Sequence, residues 1–104
     1  MSDTGRYAHA CHGKTGAARR HVQLTLPASG QPVRLARQVA REVLTAWQLA
    51  YVEEPAILLV SELVTNAIRH ARSTDTITLD LEAGRARLCI EVYRSRPGLA
   101  VPRT

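Results

Sequence analysis

Phenylalanine is absent from this chain, tryptophan occurs once and tyrosine three times in 104 residues. Without large rings the interior has to be filled by Leu, Val, Ile and Ala, which keep the hydrophobic content at an ordinary 45%. The same scarcity removes the stacking platform on which single-stranded nucleic acids are held. Lysine is nearly missing too: Lys14 is the only one, so arginine carries the net charge of +5. Such an excess suits a nucleic acid, an acidic protein or a phosphorylated ligand. Here it is spread over every segment, as on a solvated surface. Cysteine is limited to Cys11 and Cys89, far apart in the chain and matching no disulfide framework. No apolar run reaches the roughly 18 residues of a membrane span, and the N-terminus lacks the apolar stretch of a signal peptide. These absences lead to the expectation of one small, reduced, soluble, cytoplasmic domain.

What is present divides into alternating and helical stretches. Residues 1–19 are rich in Gly, Ala and Thr without an apolar period, and are expected to be a disordered tail. In HVQLTLP, Val22, Leu24 and Leu26 share one face of a short strand stopped by Pro27. The loop ASGQP offers Ser29 as a helix cap and Pro32 for a first helical turn. From Val33 to about Trp47 apolar residues recur at helical spacing, with Arg34, Arg37 and Arg41 on another stripe. A second helix is expected from Glu53 to Ala71, with Pro55 tolerated only near its start. DTITLDLEA and RARLCIEVY then alternate as two strands about a tight turn at Gly84. The order β-α-α-β-β implies an α+β fold, an antiparallel sheet with two helices on one face.

Two N-terminal motifs carry little. Gly13-Lys14-Thr15 ends like a phosphate-binding loop, but Ala8 stands where that loop needs glycine, and no buried strand precedes it. His9, Cys11 and His12 could scavenge nickel or zinc, yet no second Cys/His pair sits at finger spacing.

The second helix is more informative. At about 100° per residue, Ile57, Val60, Leu63, Val64, Ala67, Ile68 and Ala71 gather on a core-facing arc. Glu62, Asn66 and His70, four residues apart, form a separate column about 80° wide beside it. One reading is a polar flank, with Arg69 and Arg72 adding solubility near the C-terminus. The other is a metal–phosphate site. A carboxylate can act as general base, and an amide oxygen can hold Mg²⁺, a cation that leans on substrate phosphates.

The stretch ELVTNAIRHA resembles the N-box of the gyrase, heat-shock chaperone, histidine kinase and mismatch-repair (GHKL) ATPase superfamily. Within it, the chain is most similar to bacterial anti-sigma factor serine kinases and their small actinobacterial relatives. LPASGQPVRLARQVAREVLTAWQL is similar to their first strand and helix, ILLVSELVTNAIRHA to the second helix, and TITLDLEAGRARLCIEV to the following hairpin. The resemblance spans residues 21 to about 102. It implies the N-terminal portion of a Bergerat-type two-layer sandwich over residues 20–104, binding ATP and Mg²⁺. Asn66 would coordinate the Mg²⁺ bridging the phosphates, Glu62 would be the catalytic base of transfer to a protein serine, and His70 would line the pocket.

The chain departs from that family in two places. Where an Asp is expected to accept a hydrogen bond from the adenine amino group stands Arg94, which has donors only. An adenine amino group left unpaired costs about 1–3 kcal/mol, a roughly tenfold to hundredfold loss of affinity. The glycine-rich box, lid and closing strands have no counterpart before Thr104, which implies a C-terminally truncated relative with the edge of its last strand uncovered. The expectation is therefore an ATP-binding regulator of the anti-sigma kinase type that does not turn over alone. The first alternative is a degenerate, non-catalytic interaction module for a sigma factor, an antagonist or a second copy of the chain. The second is a small basic nucleic-acid binder.

Overall fold

The computed structural model describes residues 5–14, 20–84 and 86–96, the first of these stretches as backbone. In chain order the elements are β1 (Gly5–Lys14), β2 (Arg20–Pro27), α1 (Pro32–Ala46), a single 3-10 turn (Ala50–Val52), α2 (Glu53–Arg69), β3 (Thr76–Ala83) and β4 (Ala86–Ser95). From β2 onward this is the expected β-α-α-β-β order in an α+β fold. All strand pairings are antiparallel, in the spatial order β1-β4-β3-β2.

Strict alternation places Ile77, Leu79, Leu81 and Ala83 on the buried face of β3, while Thr76, Thr78, Asp80 and Glu82 face outward. Leu26 of β2 and Ile90 and Val92 of β4 extend that apolar face on either side. Both helices join it in a single core. With no phenylalanine available, small residues let the helices approach closely: Ala36 and Ala40 of α1 and Ala67 of α2 have no exposed surface. Leu44, Val60 and Val64 fill the remaining space. An Arg41–Glu53 ion pair of 3.4 Å joins α1 to the start of α2. No described helix is long and apolar enough to cross a membrane.

Three expectations are corrected. Within the stretch read as a disordered tail, Gly5–Lys14 is a strand, β1, paired along β4. Residues 1–4 and 15–19 lie outside the described residues. The outer edge of β4, expected bare, is thereby covered by the chain's own N-terminal segment. The cysteines are not unrelated: Cys89 is disulfide-bonded, and Cys11, the chain's only other cysteine, stands directly across from it in the β1–β4 register. Sequence separation hid this, because β1 and β4 meet only through long-range strand pairing. The His9, Cys11 and His12 reading concerns side chains outside the described residues.

The helix ends show a smaller difference. Pro32 opens α1 as expected, but Gln31 is the N-cap residue and no side chain caps it; Ser29 does not. At the other end Leu49 N–H bonds Leu44 C=O at 2.7 Å and Gln48 N–H bonds Thr45 C=O at 3.0 Å. This is a Schellman motif, with Leu49 packed back on the core. Its left-handed position, ordinarily glycine, is Gln48 at φ 60°. Replacing Gln48 with glycine is therefore expected to stabilise the fold by about 0.5–1 kcal/mol, read as a higher denaturation midpoint with unchanged m-value. A lower midpoint would contradict this account of the turn.

Candidate functional site

Glu62, Asn66 and His70 stand where the helical period puts them, one above another along α2, and all three are exposed. Successive members are about 6 Å apart along the axis. Leu58 precedes Glu62 on the same stripe and is itself 64% exposed, so the upper end of the column is open to solvent. The core-facing arc is as expected: Ile57, Val60, Val64 and Ala67 are buried, and Leu63, Ile68 and Ala71 pack against them half-buried.

The lower end of the column is tied to the sheet. α2 stops at Arg69, and His70 is its C-cap residue. Arg94, reaching from β4 on the same side as Ile90 and Val92, donates from a guanidinium N–H to the carbonyl oxygen of His70 at 2.9 Å. A cation at this position satisfies a carbonyl left without an intrahelical partner and meets the negative end of the helix dipole. Arg94 thus has a structural task of its own.

Below this contact lies a group that sequence reading missed. Asp75, 1% exposed, is the only charged side chain buried among the described residues. Its Oδ2 accepts the backbone N–H of Arg72 at 2.9 Å. Its own N–H donates to Arg72 C=O, and its carbonyl accepts the N–H of Ala28, both at 2.9 Å. Its Oδ1 faces the Nε of Arg96 at 3.9 Å, an ion-pair separation rather than a hydrogen bond. Read from the sequence as the first residue of a strand, Asp75 instead closes the loop before β3, with its carboxylate buried.

The opposite face of the sheet is polar. There His21 bonds Asp80, Thr25 bonds Thr78 at 3.1 Å and Tyr93 donates to Glu91 at 2.7 Å. Asp80 and Glu91 are cross-strand neighbours, a like-charge pairing that is unfavourable in itself; the His21 and Tyr93 contacts offset it. Among the described residues no three His, Cys, Asp or Glu side chains converge as a metal cluster. A Mg²⁺ ion held by one amide oxygen and by phosphates does not require such a cluster.

No family model, characterised protein or solved structure matches the chain in comparisons with known proteins.

The residues fit a Mg²⁺-nucleotide unevenly. Glu62 and Asn66 supply the oxygen donors that the phosphate side needs, both exposed and on one rigid helix. The base side offers Arg94, which has no acceptor and is engaged on His70.

Removing the buried carboxylate should be costly. Asp75→Ala is expected to destabilise the fold by about 2–4 kcal/mol, because it leaves Arg72 N–H unpaired and Arg96 without its counter-charge. Asp75→Asn keeps an acceptor and should cost about 1–2 kcal/mol. Urea denaturation of both variants measures this, and values within about 0.5 kcal/mol of the parent for both would show that Asp75 does not organise the loop.

Proposed function

We propose that this chain is a nucleotide-binding regulatory protein of the anti-sigma factor kinase type, with Mg-ATP held along the N-box face of α2. The proposal includes the fold assignment: β2 to β4 with α1 and α2 form the N-terminal portion of a Bergerat-type two-layer sandwich. The observation that carries the reading is the exposed column of Glu62, Asn66 and His70 on α2, within a β-α-α-β-β unit whose core arc lies where the motif requires. Asn66 would hold Mg²⁺ through its amide oxygen, and the ion would neutralise the phosphates. Glu62, one turn earlier, is placed to orient or deprotonate a hydroxyl, and His70 borders the lower end of the site.

Turnover by this chain alone is not part of the proposal. With Arg94 directed at His70 and no acceptor offered to the base, affinity should rest on phosphates and metal rather than on adenine. A cytoplasmic protein partner, a sigma factor or its antagonist, would then read the nucleotide state. The contact between Arg94 and His70 also favours a second reading, a non-catalytic interaction module in which Glu62 and Asn66 are surface residues. Nucleic-acid binding is less well supported, because exposed Arg34 and Arg41 are directed to Gln31 and Glu53 rather than outward as a phosphate-tracking stripe.

Asn66→Ala separates these readings. The variant should lose at least tenfold in Mg-ATP affinity by equilibrium dialysis, with its denaturation midpoint unchanged because the side chain is exposed. Equal binding by variant and parent would refute the N-box assignment.

A further inference from the structure

We infer that the cysteine pair across the β1–β4 register is a redox latch: the disulfide holds the N-terminal strand on the sheet edge, and its reduction releases that strand while the rest of the fold stays intact. Three observations carry this. First, Cys89 is disulfide-bonded and Cys11 is its direct cross-strand neighbour. Second, β1 is an edge strand whose only strand partner among the described residues is β4. It is built from GRYAHACHGK, with two glycines, two alanines and no Val, Ile or Leu, and its register slips between Arg6 and Ala8. Apart from Tyr7, such a sequence has weak strand propensity and no large aliphatic side chain, so backbone pairing alone holds it poorly. Third, buried residues of β2, β3, β4 and both helices pack together in one core.

In a reducing compartment such a bond persists only transiently. Opening it consumes two equivalents of a small thiol: the first thiolate displaces Cys11 or Cys89 sulfur as a thiolate and forms a mixed disulfide. The second thiol then attacks that mixed disulfide, leaving two protein thiols and one small-molecule disulfide. The reverse reaction needs the oxidised small-molecule disulfide. Once β1 leaves, the backbone N–H and C=O groups along the outer edge of β4 are exposed.

Hydrogen exchange on the full chain, before and after treatment with dithiothreitol, tests the inference. The oxidised protein should titrate no free thiols and the reduced protein two. On reduction, the β1 amides and the β4 amides bonded to β1 should exchange at least tenfold faster, while β3 and the core of α2 keep their protection. Cys11→Ser without reductant should reproduce the reduced pattern. Unchanged exchange in β4 would overturn the latch. So would loss of protection throughout the chain, which would make the bond a staple of the whole domain. A covalent dimer on a non-reducing gel would overturn it as well.

Discussion

A carboxylate buried to 1% exposure must find its compensation inside the protein, and Asp75 does so by binding three separate parts of the chain. Its backbone carbonyl takes the N–H of Ala28, just after β2. Its side chain takes the N–H of Arg72, just after α2. Its second oxygen attracts Arg96, just after β4. The exits of two strands and a helix are therefore fixed against one residue at the entrance of β3. The apolar core buries one face of α2 against the sheet. The polar contacts at Asp75 set where that helix ends, and so where Glu62, Asn66 and His70 stand relative to the sheet.

The two arginines near the end of β4 divide the work at this corner. Arg96 faces the buried carboxylate, and Arg94 caps the carbonyl of His70. Both are local structural tasks that consume positive charge close to the candidate site. The net charge of +5 is thus a poor guide to function, since several of its members are committed to carbonyls, to Gln31 or to Glu53. The two ends of the column differ accordingly: Arg94 holds the His70 carbonyl at one, while Leu58 and Glu62 stand exposed at the other.

Much of the fold was legible in the sequence because the signals were local. The alternation of Ile77, Leu79 and Leu81 and the helical period from Ile57 to Ala67 each survive intact in the structure. The column was legible for the same reason, as spacing within one helix. What escaped were features made by long-range pairing. Gly5–Lys14 carries no strand signal of its own, and becomes β1 only because β4 offers an edge. Cys11 and Cys89 meet through that pairing. Asp75 reads as the first residue of a strand until Ala28 and Arg96, distant in sequence, close around it. Gln48 occupies a left-handed position that a sequence reader looks for at glycine.

The central claim concerns what the exposed column on α2 holds. Calorimetric titration of the purified chain with ATP, with and without Mg²⁺, tests it most directly. The account predicts binding that requires the metal and changes little when the adenine base is replaced by guanine, since Arg94 offers no acceptor. No heat at millimolar ATP in the presence of Mg²⁺ would contradict it, and would leave Glu62 and Asn66 as surface residues of an interaction module.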